Sequence, residues 1–291
     1  SPIPNPQSPI PILFTLFYLS EINFCINQLF QKNKYIKFMK NEVSLNSKAH
    51  LFLTSSPFKF TFENGTYKNL GLDKANSLEE NLKKYWKNNS KILFITSDPK
   101  NKEKNLSIID SIKEALSKTS LTFESIDLCD GSNPEQALNN YDIIFLGGGH
   151  VPTQNKFFEN INLKEKIKDF EGVIIGTSAG SMNCPEIVYA QPELEGEAID
   201  PNYKRFLKGL NLTKIQILPH YYSIKDEKLD GKRIIEDITY EDSVNNCFYV
   251  IPDGSYIIQT IKEIYLFGEG YTIKNKIMEK ICNNDESKLI Q

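Results

Sequence analysis

Short apolar runs alternate along this chain with segments whose apolar positions recur every three or four residues. His50–Pro57 reads as a buried strand that ends in a loop. Asp73–Lys87 carries Leu78, Leu82, Tyr85 and Trp86 at helical spacing, which predicts an amphipathic helix. Lys91–Thr96 is a second strand, stopped by Ser97-Asp98-Pro99. Leu106–Leu116 is helical, with Ile108, Ile109, Ile112 and Leu116 on one side. Leu121–Leu128 is a third strand, Pro134–Leu138 a short helix and Asp142–Leu146 a fourth strand. Helices then cover Thr153–Glu159 and Leu163–Asp169, and Val173–Ile175 forms the fifth strand. This alternation predicts an α/β fold: a mostly parallel sheet with helices on both faces. In such sheets, ligands bind where the strands end at their carboxyl edge.

After residue 245 the pattern changes. Cys247–Ile251, Tyr256–Thr260, Ile264–Phe267 and Tyr271–Ile277 read as short strands with tight turns, and are expected to be antiparallel strands that finish the domain. The domain is placed at 48–280, with a polar tail at 281–291. Residues 1–47 form an N-terminal extension with a proline-rich start and are expected to be poorly ordered. The compact protein is expected to begin near Met39. The apolar stretch Ile12–Leu19 is too short to span a bilayer and lacks the flanks of a signal peptide. A cytoplasmic protein without a membrane partner is the expectation.

Three features fall at the carboxyl edge. Gly176-Thr177-Ser178-Ala179-Gly180 is a G-x-S-x-G nucleophile elbow, in which a sharp strand-to-helix turn lifts a serine hydroxyl above the sheet. The Ala179 amide is left free at a helix start, where it can stabilise an oxyanion. Gly147-Gly148-Gly149-His150 follows the fourth strand, and glycines let such a loop bring further amides close to the nucleophile. A phosphate-binding use is the weaker choice, because neither Gly-Lys-Ser/Thr nor G-x-G-x-x-G is present. His220 follows the apolar run Ile215–Leu218 and Pro219.

A serine nucleophile needs a base, and the base needs an orienting group. Only His50, His150 and His220 are available, and His50 lies at the amino edge. By position His220 and His150 are close rivals. The acid is either between the serine and His220, at Glu193 or Asp200, or beyond it, at Asp253 in Ile-Pro-Asp-Gly.

Composition narrows the field. The 291 residues are 40% hydrophobic and 24% charged with a net charge of −3, so there is no basic footprint for nucleic acid. Five scattered cysteines show no metal-ligand spacing and read as reduced thiols. Arg205 and Arg233 are the only arginines, which limits bidentate recognition of a substrate carboxylate.

Leu-Gly-Gly-Gly-His, Gly-Thr-Ser-Ala-Gly-Ser-Met-Asn, Ile-Leu-Pro-His-Tyr and Ile-Pro-Asp-Gly-Ser-Tyr, in this order, resemble the peptidase E (aspartyl dipeptidase) family. That family belongs to the class I glutamine amidotransferase-like superfamily. The resemblance covers about residues 48 to 278. It implies a flavodoxin-like three-layer α/β/α sandwich, no cofactor and no metal, a small peptide substrate and a monomer or homodimer. It implies Ser178 as nucleophile, His220 as base and Asp253 as acid, with Glu193 near a second acidic position. Gly148, Gly149 and Ala179 would form the oxyanion hole. Tyr189 stands where the dipeptidases carry a substrate-reading arginine, and His150 stands where the glycine loop usually continues with asparagine, so both are expected at the substrate. The alternative is a non-catalytic amidotransferase-like binding module that keeps the elbow only as architecture.

Overall fold

The computed structural model describes residues 48–63 and 66–290; the extension 1–47 and the expected start at Met39 lie outside the described residues. The apolar runs become strands because they are covered on both faces. β1 (His50–Thr54) sends Leu51 and Leu53 into one core and Phe52 into the other, all fully buried. A hairpin of β2 (Phe58–Glu63) and β3 (Thr66–Leu72) follows. The run-based reading passes over it because its apolar positions are partly in water: Phe60 and Leu70 are exposed.

Next come α1 (Leu78–Lys83), β4 (Ser90–Ile95), α2 (Lys102–Leu116), β5 (Phe123–Cys129), β6 (Ile143–Leu146), α3 (Val151–Asn160), α4 (Leu163–Ile167) and β7 (Val173–Thr177). Two expected helices change. Asn76 and Ser77 adopt positive φ of 54° and 57°, so the helix expected from Asp73 shrinks to α1. At Pro134–Leu138 Ala137 stays extended, and only a 3-10 turn at Leu138–Asn140 forms. Beyond β7 lie α5 (Ala179–Met182), β8 (Ile187–Tyr189), β9 (Phe206–Lys208), β10 (Gln216–Leu218) and α6 (Tyr221–Ile224). They are followed by the two-residue strands β11 (Lys228–Leu229) and β12 (Lys232–Arg233), then α7 (Tyr240–Asp242) and β13 (Cys247–Val250). The chain closes with β14 (Tyr256–Gln259), β15 (Ile264–Phe267), β16 (Gly270–Lys274), β17 (Ile277–Cys282) and β18 (Ser287–Leu289).

The main sheet runs β18-β15-β14-β1-β7-β6-β4-β5. The five strands from β1 to β5 in that order are parallel, and β14, β15 and β18 add an antiparallel edge beside β1. Counted from β4, the strands β5-β4-β6-β7 have the order 2-1-3-4 of a flavodoxin-like sheet, and β1 fills the fifth place. Side chains alternate between two cores: Leu93, Ile144 and Ile174 face α3 and α4, whereas Phe94, Phe145 and Ile175 face α1 and α2. Each such side chain contributes about 1.5–3 kcal/mol on full burial.

The end of the chain departs from expectation. Its strands divide between two sheets, because β10, β13, β16 and β17 form a separate four-stranded sheet. Tyr271–Ile277 is not one strand: Asn275 and Lys276 both have positive φ (49° and 66°) and make the hairpin turn between β16 and β17. The polar tail also contains β18, which pairs with β15. Among the described residues no helix is long and apolar enough to cross a membrane.

Candidate active site

β7 ends at Thr177 and the chain turns at once. A Cβ on Gly176 would lie 2.7 Å from the Ser181 amide nitrogen, and one on Gly180 would overlap the Leu146 carbonyl at the end of β6. Only glycine fits either place, so α5 can begin hard against the sheet. Between them Ser178 takes φ 49° and ψ −115°, a strained conformation for an L-residue. The strain is held by β1: the Ser178 amide donates to Thr54 O at 3.0 Å and Ser55 O at 3.1 Å. Ser181 Oγ binds the same strand end, donating to Thr54 O at 2.8 Å and accepting from Thr54 N at 2.9 Å. Among the described residues Ser178 Oγ has no hydrogen-bond partner.

The glycine loop after β6 lies against this turn, with a Cβ on Gly148 only 3.4 Å from Ser178 Cβ. Its carbonyls are held from behind. Gln154 Nε2 donates to Gly147 O at 2.7 Å, and Ser97 Oγ donates to Gly148 O. A trans peptide points its N–H opposite its C=O, so the Gly148 and Gly149 amides are turned away from these anchors. Gly149 has φ 144°, and a Cβ there would overlap Ser97. Among the described residues the amides of Gly148, Gly149 and Ala179 donate to no protein acceptor.

The other two candidates come from the second sheet. β10 and β13 are parallel, with Leu218 opposite Val250. The chains stay paired past the strand ends: the Ile251 amide donates to Leu218 O at 2.9 Å and the Tyr221 amide to Ile251 O at 3.2 Å. His220 and Asp253 therefore leave neighbouring strand ends and meet, His220 Nδ1 to Asp253 Oδ1 at 2.8 Å. Burial acts to raise the Asp253 carboxyl, but the hydrogen bonds from His220 and Ser55 outweigh it and hold it below the usual carboxylate range. An ionised carboxylate can only accept, so in the neutral ring the proton sits on Nδ1 and Nε2 keeps a free lone pair. His220 itself is left-handed at φ 58°.

Ser55 is the residue that sequence reasoning missed. It is fully buried, and its hydroxyl donates to Asp253 Oδ1 at 2.5 Å and accepts from the His220 amide at 2.8 Å. A serine in Ser-Ser-Pro reads as an ordinary loop residue. Only the expected burial of the strand just before it could have drawn notice.

The remaining candidates separate. His150 caps α3, and both ring nitrogens are occupied: Nδ1 by Thr153 Oγ1 at 2.8 Å and Nε2 by Glu197 Oε1 at 2.9 Å. His150 thus does have an acid, brought by the 193–199 loop rather than by its neighbours in sequence. Glu193 lies in that loop. The residue keeps an exposed surface, yet its carboxyl is enclosed enough that burial pushes it up to about 7, with Glu197 and Glu227 adding to the rise and His220 opposing it. Tyr203 is raised by burial and then by Glu197 and Glu193.

Tyr189 is not at the site. Its ring stacks on Phe248 at 4.3 Å, its hydroxyl donates to Asp242 at 2.9 Å, and the residue is 2% exposed. An ungapped count from the elbow places it near substrate, but β8 turns it into the core. Arg205 is held on Asp242 at 2.9 and 3.0 Å, and Arg233 on Asp237 at 2.7 Å. Cys184 is no alternative nucleophile: burial pushes its thiol far up, and Sγ donates to Gly180 O. A cavity of about 500 Å³ between α3 and β9 includes none of the residues of this site.

The profile of peptidase family S51 matches residues 64–266, which carry the glycine loop, the elbow, His220 and Asp253. The chain belongs to peptidase family S51. This S51 chain is therefore a serine-type peptidase of the peptidase E kind. A solved candidate peptidase E from Listeria monocytogenes EGD-e is similar at 18% identity, over 80% of this chain and 98% of that one, with a TM-score of 0.47. No curated protein matches the S51 chain significantly.

Proposed function

We propose that this S51 peptidase hydrolyses short peptides near their N-terminus, with Ser178 as nucleophile, His220 as general base and Asp253 as the orienting acid. The observation that carries the reading is the His220–Asp253 hydrogen bond at 2.8 Å. It leaves Nε2 free, at the end of one sheet, for an unspent, strained serine at the end of the other.

In this reading His220 Nε2 takes the Ser178 proton as Oγ attacks the scissile carbonyl. The amides of Gly148, Gly149 and Ala179 receive the oxyanion. The imidazolium then gives its proton to the leaving amine, and the C–N bond breaks to leave an acyl-enzyme. Water, deprotonated by the same nitrogen, releases the acid and restores the serine. No Ser178–His220 hydrogen bond is formed in the free protein; such contacts commonly tighten only with substrate bound.

The surroundings favour a neutral or cationic substrate over an aspartyl one. Arg205 is committed to Asp242, whereas Glu193 faces the field of His220 without a basic partner. Glu193 is placed in this reading as the substrate contact for the peptide amine, and His150, with both ring nitrogens taken, acts on substrate binding through Glu197, whose other oxygen holds the Glu193 amide.

The test is turnover of a dipeptide panel by the wild type and Ser178→Ala, together with labelling by a fluorophosphonate. Ser178→Ala is expected to lose kcat by about 10³-fold or more and to lose the label. Equal turnover by the two proteins, or no label on folded wild type, would remove the serine from its role.

A further inference from the structure

We infer that Ser55 is a positioning residue for the whole triad, a residue whose carbonyl and hydroxyl together hold Ser178, His220 and Asp253 in a common frame. The inference rests on the triad assigned above.

The nucleophile belongs to the main sheet, but the base and acid hang from the ends of β10 and β13 in the other. Something must fix one against the other to within a fraction of an ångström, because misplacement of about 1 Å costs on the order of 100-fold in rate. Ser55 directly follows the last residue of β1, a strand of the main sheet, and touches all three groups. Its carbonyl accepts the Ser178 amide at 3.1 Å. Its hydroxyl accepts the His220 amide at 2.8 Å and donates to Asp253 Oδ1 at 2.5 Å.

Each contact answers a specific need. His220 sits at φ 58° and ψ 37°, a left-handed backbone that costs a β-carbon residue free energy unless neighbours over-determine it. The Ser55 hydroxyl receives the amide of that very residue. Asp253 Oδ1 already takes the His220 Nδ1 proton, and a second donor on the same oxygen fixes the plane of the carboxylate and with it the ring. The Ser55 oxygen also lies 3.4 Å from Nδ1, so the hydroxyl, the carboxylate and the ring form one closed triangle. The residue has no exposed surface, so water cannot substitute for the hydroxyl from outside. A methyl group in its place would leave the His220 amide and one bond to Asp253 unmade.

The role predicts non-additivity. The share of it that runs through Asp253 matters only while Asp253 is present and leaves just the His220 contact to lose in its absence, whereas mere support of the fold matters equally in either background. The experiment is a double-mutant cycle on one dipeptide substrate, reading kcat and KM. Ser55→Ala is expected to reduce kcat about 30-fold with KM within about two-fold. In the Asp253→Ala background the same change is expected to cost less than about three-fold. Ser55→Thr and Ser55→Val supply a second comparison at equal side-chain shape. The threonine is expected to be at least ten times faster than the valine at equal thermal stability. An equal loss in both Asp253 backgrounds, or equal rates for threonine and valine, overturns the inference. A fully active Asp253→Ala single variant would instead overturn the triad, so the two failures are distinct.

Discussion

His220 and His150 both lie just beyond a strand end, and both have a carboxylate at hydrogen-bond distance. What separates them is the second ring nitrogen. His150 has spent both nitrogens, on Thr153 and Glu197, and has no lone pair to offer. His220 has spent only Nδ1. His220→Ala is therefore expected to lower kcat by about 10³-fold or more, and His150→Ala to act mainly on KM, by about 10-fold. Steady-state kinetics on one dipeptide, with folding checked by circular dichroism, decides between them; the reverse pattern would exchange their roles. Glu193 adds a pH dependence. Its carboxyl ionises at about 7, chiefly through burial, so contact with a substrate amine strengthens as pH rises through 7 and KM falls. Glu193→Gln should flatten that profile between about pH 6 and 8. The stability sign is opposite. A carboxyl raised from 4.5 to about 7 favours the folded state most below 4.5, and this contribution is lost as pH rises to 7. A Tm that falls over this window in wild type but not in Glu193→Gln would show both effects to have one source.

At the scale of elements, the parallel part of the fold was legible because β1, β4, β6 and β7 are buried on both faces and so read as unbroken apolar runs. The elbow and the glycine loop were legible because tight backbone approaches admit only glycine. The hairpin β2–β3 was not, since half-exposed strands carry a weaker pattern. Nor could short apolar runs reveal that β10 and β13 pair in a second sheet, because strand partners are chosen by packing and not by composition. Ser55 left no trace for the same reason: its importance is a matter of what surrounds it. Tyr189 shows the hazard of counting from a motif. β8 buries it between Phe206 and Phe248, with its hydroxyl on Asp242. Tyr189→Phe should cost about 1–3 kcal/mol, seen as a lower denaturation midpoint, while leaving KM within about two-fold. A large KM change at unaltered stability would return Tyr189 to the substrate.

For the whole molecule, the division into two sheets sets what the last residues do. β18 covers the outer edge of β15, with the Gly268 amide donating to Glu286 O at 2.8 Å and the Ile290 amide to Ile264 O at 2.9 Å. An uncovered edge strand invites pairing with another chain. A protein ending at Asn284 is expected to keep its kcat, because β18 is remote in the sheet order from β7, yet to lose about 1–2 kcal/mol and aggregate sooner on warming. Light scattering during a thermal ramp measures this, and an unchanged onset would show that the edge needs no cover.

The seam between the sheets also has a consequence in time. During synthesis Ser178 emerges first, on a turn whose strain needs β1 to hold it. His220 and then Asp253 leave the ribosome later, and β14, which flanks β1, later still. Under the roles proposed for them, a nascent chain carries Ser178 before His220 and Asp253, and the three can meet only once β10 and β13 have paired. With that order of residues, peptide hydrolysis by these three groups would belong to the folded protein and to none of its parts alone.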